Sequence, residues 1–245
     1  MPAHYQLTVI SNESLTPHMR RILLEGDALA DFPDDQESGY VKLMLDADSK
    51  DKPLLRSYTI RAFDPGAKQL TLDFVDHGDS GPASAWARRA VAGDRAVVRG
   101  PGEKKLADPQ ADWFLLAGDM SALPALAVNL EQLPRDARGY AVIEVLSAED
   151  QQEIDAPSGI DVRWLVNPDN EQENTLLADA IREVDWLPGT PYPWFAGEFS
   201  TMRLVRRYFR DERGIDKRAM YVSSYWKIGD TDEGMKLAKR MDAEA

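Results

Sequence analysis

Apolar residues in the first hundred positions recur in short runs that alternate with polar residues, and Pro, Gly and Asp separate the runs. Such runs, each of strand length, are typical of an antiparallel barrel. They read "YQLTVISNESL", "MRRILLEGDAL", "YVKLMLDA", "LRSYTIRAF", "QLTLDFVDH" and "DRAVVRGP". One helical segment, "ASAWARRAV", precedes the last of them. The pattern predicts a small antiparallel β-barrel that carries one helix.

The pattern changes near "RGPGEKKLADPQADW", residues 99–113. Strand-like and helix-like segments then alternate as "WFLLAGD", "ALPALAVNLEQL", "YAVIEVLS", "DVRWLV", "TLLADAIREV", "YPWFAGE", "FSTMRLVRRYFRDER" and "AMYVSSYW". This alternation is typical of an open, mostly parallel α/β sheet that binds ligands at the carboxyl ends of its strands. A length of 245 residues also favours two domains. We predict a barrel domain over 1–110 and an α/β domain with a C-terminal helix over 111–245.

Composition and charge limit the possible partners and location of the protein. With 29 basic and 42 acidic residues the net charge is −13, which argues against nucleic acid as a partner. No apolar run approaches the roughly 20 residues of a membrane span, and "MPAHYQLTVI" lacks the layout of a signal peptide. We therefore expect a cytoplasmic protein with no membrane partner, acting as a monomer.

The protein has no cysteine and only three histidines, His4, His18 and His77, which are far apart in sequence. Disulfides, thiolate nucleophiles and iron–sulfur clusters are thereby excluded, and a metal held by the protein is not expected. Any redox chemistry must depend on an organic cofactor.

The hexamer "RSYTIR", residues 56–61, has the side chains that a flat aromatic cofactor with a phosphate tail would need. On a strand, Arg56 and Tyr58 face one way while Ser57 and Thr59 face the other, unless a bulge intervenes. Tyrosine packs against rings, threonine hydrogen-bonds ring heteroatoms and arginine holds phosphate. The alternative is an amphipathic strand with solvated arginines.

The segment "DHGDSGPASAWARRA", residues 76–90, predicts a second polar feature. Gly81 and Pro82 lead into a helix whose first amides, from Ala83 to Ala85, are expected to be free to donate to an anion, with the Ser84 hydroxyl adding to them. An ordinary capped helix is the alternative.

"RSYTIR" resembles the flavin-binding R-x-Y-T-x-R signature of the siderophore-interacting proteins, the flavin-dependent ferric-siderophore reductases of the ferredoxin-reductase superfamily. The resemblance covers nearly the whole chain, with "TPHMRRILLEG", "YVKLML", "DHGDSGPASAWA", "AGDMSALPAL", "WFAGE" and "SYWKIG" matching in order. It implies a flavin-binding barrel followed by a nicotinamide-nucleotide domain. It also implies Tyr58 against the isoalloxazine and Thr59 near its reactive edge. The residues implied to bind FAD are Arg56, Ser57, Tyr58, Thr59, Val75, His77, Gly81, Ala83 and Ser84, while Arg61 is structural.

The α/β domain lacks the G-x-G-x-x-G fingerprint of dinucleotide-binding domains. By the resemblance, "AGDMSALPAL" replaces it: Asp119 closes the first strand and Ser121 or Ala122 opens a helix toward phosphate. Met120 and Ser121 stand where the family commonly has an acidic residue and threonine. The alternative is a plain strand–helix junction with Ser121 as the N-cap.

Two later motifs also match the family. In "WFAGE", the resemblance places Gly197 and Glu198 beside the nicotinamide, although Glu198 is equally suited to cap the following helix. In "SYWKIG", Trp226 is expected to cover the flavin edge or to pack in the core, and the family usually has glycine where Ser224 stands. No arginine directly follows the second strand of the domain, which leans toward NADH over NADPH.

The implied activity is reduction of an Fe(III)–siderophore to release Fe(II), with NADH, NADPH or a ferredoxin as electron donor. Because ferric catecholates are anionic, we expect a local basic pocket near the flavin. Lys42, Lys227 and Arg203 are the candidates, with Arg207 and Arg210 as helpers, unless their helix has a merely solvated basic face. No general acid or base is predicted.

Two other function classes stay open at this point. A general flavin reductase would share the flavin motifs but lack the basic pocket. A non-catalytic siderophore-binding protein would keep the pocket but have no use for "RSYTIR" together with a phosphate site. The tail "TDEGMKLAKRMDAEA" predicts a polar helix beginning at Thr231.

Overall fold

The structure is a computed structural model that describes residues 3–45, 53–79, 81–170, 172–230 and 232–243. The chain folds into two compact units, Met1–Lys105 and Leu106–Ala245. The assignment of an FAD domain to 1–110 and a nucleotide domain to 111–245 stays a prediction.

The first unit is a closed barrel with strand order β1-β2-β5-β4-β3-β6, and all of its strand pairs are antiparallel. Its strands are β1 (Ala3–Thr16), β2 (Met19–Glu25), β3 (Tyr40–Leu45), β4 (Leu54–Asp64), β5 (Gln69–Val75) and β6 (Arg95–Gly102). A 3₁₀ turn (Asp27–Asp31) follows β2, and helix α1 (Pro82–Arg89) lies between β5 and β6. The predicted barrel with one helix is confirmed.

Strand β4 contains a bulge between Ile60 and Ala62. Ile60 pairs with Leu72, whereas Ala62 pairs with Thr71, so an extra residue of β4 is accommodated at this point. Ile60 and Phe63 are three positions apart and are both buried, which strict alternation along a strand would not allow. The bulge therefore lies at the end of the "RSYTIR" segment and shifts the alternation of β4 after Ile60.

The second unit is a parallel five-stranded sheet of order β11-β10-β7-β8-β9. Its strands are β7 (Trp113–Gly118), β8 (Arg138–Val145), β9 (Gly159–Val166), β10 (Pro191–Glu198) and β11 (Tyr221–Trp226). Its helices are α2 (Leu123–Gln132), α3 (Leu176–Arg182), α4 (Phe199–Arg207) and α5 (Asp232–Ala243), with a π-helical turn at Tyr208–Glu212 and a 3₁₀ turn at Ala148–Asp150. The predicted α/β sheet is confirmed.

Strand β7 lies at the centre of this sheet and is buried on both faces, as its unbroken apolar sequence predicts. Trp113, Leu115 and Ala117 share a core with residues of α3 and α4. Phe114 and Leu116 point to the opposite face because side chains alternate along a strand. The carboxyl end of β7, at Gly118, therefore lies between two buried layers.

The C-terminal helix predicted from the tail is present as α5. Its predicted first residue, Thr231, lies outside the described residues. Among the helices that the structure describes, none has both the length and the apolar character that a membrane span requires.

We predict that Gly139→Ala destabilises the protein strongly. Gly139 has φ +141, and an added Cβ would lie 1.9 Å from the Phe114 carbonyl oxygen on the neighbouring strand. Alanine at a positive φ already costs more than about 1 kcal/mol, and the clash adds to that cost. The matched control is Gly214→Ala, where φ is +69 and nothing lies within 4 Å of the added atom. Urea unfolding should show a larger loss for Gly139→Ala; equal losses would contradict the clash.

Candidate functional site

The "RSYTIR" segment lies on β4 beside β3, with Tyr58 opposite Val41 and Arg56 opposite Leu43. Val41 and Leu43 are buried, so Arg56 and Tyr58 lie on the interior side of the β3–β4 pair, while Ser57 lies on the other side. The alternation predicted for this segment is present. Lys42, a predicted substrate-binding residue, is opposite Ser57.

Tyr58 is anchored by aromatic packing. Its ring centroid lies 4.1 Å from that of Phe74, which in turn lies 5.7 Å from that of Trp86 on α1. Burial raises the pKa of the Tyr58 phenol, against the lowering effect of the nearby Arg56 charge. Tyr58 is therefore a neutral aromatic group at any physiological pH.

The residues Arg56–Thr59 pair with β3, whereas the described pairing of β4 with β5 begins at Ile60. The β5-facing backbone edge of this short segment is thus outside the described ladder of the barrel. Strand edges of this kind offer N–H and C=O groups to a ligand. The edge lies beside Tyr58 and Thr59, the two residues that the resemblance assigns to the isoalloxazine.

The loop before α1 is braced by Ser84. Its hydroxyl donates to the Gly78 carbonyl oxygen at 2.7 Å and accepts from the His77 amide at 3.2 Å. The hydroxyl proton is therefore used within the loop, and binding of an anion by the Ser84 hydroxyl stays a prediction. The Ala85 amide is also not free, since it donates to the Gly81 carbonyl oxygen at 2.9 Å.

Among the described residues, no hydrogen bond uses the Ala83 or Ser84 amide at the start of α1, whereas Pro82 has no N–H and the Ala85 amide is used. The N-cap, Gly81, makes no side-chain cap, so these amides point out of the helix end. An added Cβ on Gly81 would lie 2.8 Å from the His77 ring, so the loop packs closely only because glycine is there. These features fit a ligand with a phosphate group and a flat ring, as FAD has.

In the second unit, the Asp119 carboxylate is the centre of a buried hydrogen-bond network. Its Oδ1 accepts from the Ser121 amide at 2.9 Å and the Ser121 hydroxyl at 2.5 Å. Its Oδ2 accepts from the Glu198 amide at 2.8 Å and the Trp226 Nε1 at 2.7 Å. Burial raises the pKa of the Asp119 carboxyl, against these hydrogen bonds, which lower it.

Glu198 forms the second node of the network. Its carboxylate caps α4 by accepting from the Ser200 amide and, at 3.0 Å, from the Thr201 amide. Its other oxygen accepts from the Ile228 amide at 3.2 Å. Helix capping, one of the two sequence interpretations of Glu198, is present in the structure, while a place beside the nicotinamide stays a prediction.

Glu144 is a buried carboxylate that the sequence analysis missed. It lies on β8, one position beyond the residue that pairs with Gly118, and its Oε1 accepts from the Asn167 side chain at 3.1 Å. Burial raises its pKa to about 7; the Asn167 bond opposes this shift, and the Asp119 charge adds to it. One signal was visible, since Glu144 is the single charged residue in "YAVIEVL".

The Ser121, Ala122 and Leu123 donors of the predicted phosphate-binding turn bond within the turn. The Ser121 donors bond Asp119, the Ala122 amide donates to the Asp119 carbonyl oxygen at 2.9 Å, and the Leu123 amide donates to that of Met120 at 3.3 Å. Ser121 is not the N-cap, because α2 is capped at Ala122 without a side-chain bond. Binding of a nucleotide by Asp119, Ser121 and Ala122 stays a prediction.

Trp226 is half-buried at the end of β11, with its indole N–H bonded to Asp119. Its contact with FAD stays a prediction. Ser224, where the family usually has glycine, is buried, and its hydroxyl has no hydrogen-bond partner among the described residues. Lys227 donates to Asp230 at 2.8 Å, which raises the pKa of its ammonium.

Arg203, Arg207 and Arg210 lie along α4 and the turn after it, and they line a cavity of about 1010 Å³ together with Arg206 and Lys217. Asp242 on α5 bonds both guanidinium nitrogens of Arg206 at 2.6 and 2.9 Å and lies 3.3 Å from Arg203. The structure thus brings the three predicted arginines together. Lys227 is not among the residues that line this cavity.

Both halves of the sequence match models of one family. Residues 8–55 and 45–105 match the siderophore-interacting FAD-binding domain, and residues 111–229 match the siderophore-interacting protein model. The chain belongs to the siderophore-interacting protein family.

Relatives within the family cover almost the whole chain. The ferric vibriobactin reductase ViuB of Vibrio cholerae is 30% identical over 93% of this chain and 90% of ViuB. The siderophore-interacting protein SipS of Aeromonas hydrophila has a crystal structure that is 32% identical, with a TM-score of 0.88 over 100% of this chain and 99% of SipS. The resemblance inferred from the motifs is confirmed.

The fold is shared more widely than the family. The ferredoxin reductase of carbazole 1,9a-dioxygenase has a TM-score of 0.70 at 16% identity, over 91% of this chain and 69% of that chain. At this identity the likeness concerns the fold alone. It confirms the expected ferredoxin-reductase-like architecture.

We predict that Glu144→Gln removes a pH-dependent loss of stability. The raised pKa means that the folded state keeps the Glu144 proton while the unfolded state releases it, so stability falls as pH rises from about 4.5 to about 7. A pKa shift of this size corresponds to a loss of about 3 kcal/mol in the free energy of unfolding at pH values above that range. Glutamine can still accept from Asn167 but does not ionise. Unfolding at pH 8 should show a more stable variant, and at pH 4.5 the two proteins should be equal.

The control for this prediction is Glu153→Gln, which neutralises an exposed glutamate of the same unit. It should leave the pH dependence of unfolding unchanged. If Glu144→Gln shows no gain at pH 8, then Glu144 is not a buried carboxylate of raised pKa.

Proposed function

We propose that this protein is an FAD-dependent reductase that converts an Fe(III)–siderophore to Fe(II) and a released siderophore. The observation that carries the proposal is the β4 segment, where Tyr58 and Thr59 lie next to a backbone edge outside the ladder that β4 forms with β5. This segment lies within the residues that match the family's FAD-binding domain. The name of the relative ViuB, a ferric vibriobactin reductase, supports the same activity.

A bound flavin accepts two electrons as a hydride and can release them singly, as reduction of Fe(III) requires. The protein's own groups bind and orient it. Tyr58, neutral and held by Phe74, offers a flat apolar face to the ring system. The Ala83 and Ser84 amides offer donors to a phosphate, and the partial positive charge of the helix end favours the anion.

On the substrate side, we propose that Lys42, Arg203 and Lys227 attract an anionic, catecholate-like siderophore, with Arg207 and Arg210 as helpers. The net charge of −13 does not forbid this, because exposed charges beyond about 8 to 10 Å are screened. The electron donor is proposed to be NADH or NADPH, with a ferredoxin as the other candidate. The absence of an arginine directly after β8 favours NADH.

An anaerobic redox titration tests the proposal. The purified protein should have a flavin visible spectrum, or gain one on reconstitution with FAD. The spectrum should bleach on addition of NADH and recover when a ferric catecholate is added, while a colorimetric chelator traps Fe(II). NADPH and a reduced ferredoxin are tested in parallel.

The possible outcomes separate the candidate functions. A protein that stays colourless after reconstitution would exclude a flavoenzyme and leave a siderophore-binding protein. A spectrum that bleaches but never recovers with ferric substrate, and recovers with free flavin, would instead identify a general flavin reductase. If reduced ferredoxin bleaches the flavin spectrum and neither nucleotide does, only the proposed electron donor changes.

Charge reversal tests the predicted substrate residues one at a time. Lys42→Glu, Arg203→Glu and Lys227→Glu should each raise the KM for a ferric catecholate several-fold, because each replaces an attraction by a repulsion worth about 1 kcal/mol or more. FAD content should not change. Lys68→Glu and Arg135→Glu alter net charge equally at other exposed ion pairs and should leave the KM unchanged. A residue whose reversal changes the KM no more than these controls is removed from the site.

A further inference from the structure

The side chain of Asp119 has no capacity left for a ligand. A carboxylate has about four lone-pair sites, and the four donors that reach Asp119 are the Ser121 amide and hydroxyl, the Glu198 amide and the Trp226 indole N–H. A nucleotide would have to displace one of these bonds from a buried group. The carboxylate is therefore better placed to hold other residues than to bind the nucleotide itself.

The residues that Asp119 holds come from distant parts of the sequence. Asp119 follows β7, Glu198 ends β10 and Trp226 ends β11. Glu198 in turn accepts from the Ile228 amide, so the segment from Trp226 to Ile228 is tied to the sheet at both ends. Lys227, a proposed substrate-binding residue, lies between these two anchors.

We infer that Asp119 is a positioning residue, which fixes the orientation of the Trp226 indole and, together with Glu198, the segment that carries Lys227. The inference rests on the proposed function, because Trp226 and Lys227 are proposed to act on FAD and on the ferric substrate.

Only a carboxylate satisfies this position. Asp119 faces four N–H or O–H donors, and an asparagine in its place would turn its own NH₂ toward two of them. The Trp226 bond joins an indole N–H to a buried charge and is 2.7 Å long. Hydrogen bonds to charged groups are the stronger kind, and their loss leaves the buried partner unpaired. The indole is therefore held by its N–H, while its half-buried ring keeps an accessible part.

The structural half of the inference can be tested without flavin. The six tryptophans give indole N–H signals in a ¹H–¹⁵N correlation spectrum, and Trp226→Phe identifies one of them. In Asp119→Asn, the Trp226 signal should move upfield and its exchange with water should accelerate at least about tenfold. Asp112→Asn, a carboxylate at the opposite end of β7 that bonds the Thr190 amide, should leave the signal in place. An unmoved signal in Asp119→Asn would overturn the inference.

The functional half uses steady-state kinetics of the FAD-loaded protein. A positioning role predicts that Asp119→Asn lowers kcat at least about tenfold while the KM for NADH changes little. A direct nucleotide-binding role predicts the reverse, a raised KM with kcat retained. Asp112→Asn should leave both unchanged.

A double variant tests whether the effect passes through Trp226. If it does, Asp119→Asn should lower kcat far less in a Trp226→Phe background than in the wild type. A full, additive loss would overturn the inference.

A second variant decides the matter if Asp119→Asn does not fold. Should Asp119→Asn fail to fold, Trp226→Phe alone decides: it keeps an aromatic ring but has no N–H, so an unchanged kcat would overturn the inference. If the wild type shows no flavin turnover, the proposed function fails, while the indole spectrum still reports on the anchoring.

Discussion

The burial of carboxylates at one edge of the parallel sheet is the constraint on which the second unit depends. The sheet is covered on both faces, so Asp119, Glu144 and Glu198 are all at most 9% exposed. Asp119 and Glu198 are compensated by donors from several strand and helix ends. Glu144 has one bonded amide and a neighbouring negative charge, and its pKa rises to about 7. Gly197 follows from the same constraint, because an added Cβ would lie 2.7 Å from the Asp119 carboxylate. At Gly118 an added Cβ would instead collide with the Ala196 carbonyl oxygen of the neighbouring strand.

In the barrel, polar side chains also bond within the protein, but they hold loops and helix ends in place. Its polar side chains near the proposed flavin site mostly bond other parts of the barrel. Ser84 closes the loop before α1, and Asp76 lies 3.6 Å from both Arg20 and Arg88. Asn12 then bonds the last carbonyls of α1. In both units, side chains that a motif presents as ligand groups hold backbone in place. Besides the Tyr58 ring, the groups of the barrel proposed to meet a ligand are backbone: a strand edge at β4 and two amides at α1.

What could be predicted from the sequence depends mostly on how far apart along the chain the interacting residues lie. Every strand of the barrel and of the sheet was predictable, because apolar periodicity is local to each element. The hydrogen bonds that Asp119 accepts from Glu198 and Trp226 were not, since these residues are 79 and 107 positions away and no spacing rule relates them. The Ser84 bonds are local, but residue type does not say whether a hydroxyl bonds its own loop or a ligand. Residue type told us that Asp119, Ser121 and Trp226 lie at strand ends, but not that they bond each other. Glu144 was detectable in principle, as a lone charge in an apolar strand, but its partner Asn167 was not.

The cations proposed to attract the substrate are mostly engaged with acidic neighbours. Lys227 pairs with Asp230, and Arg203 shares Asp242 with Arg206. The Lys227 and Asp230 side chains are 31% and 28% exposed, whereas that of Asp242 is only 11% exposed. Ion pairs that water and salt can screen contribute only about 0 to 1 kcal/mol, which describes the Lys227 pair better than the Asp242 pairs. If the proposed substrate residues bind an anion, it would displace Asp230 at a smaller cost than Asp242, which two arginines hold at a largely buried position. Asp119, which accepts four hydrogen bonds, would be the hardest of the three to displace. Burial thus orders these carboxylates: Asp119 fixes the geometry of the sheet edge, and Asp230 is more easily exchanged than Asp242 for a charge of the proposed substrate.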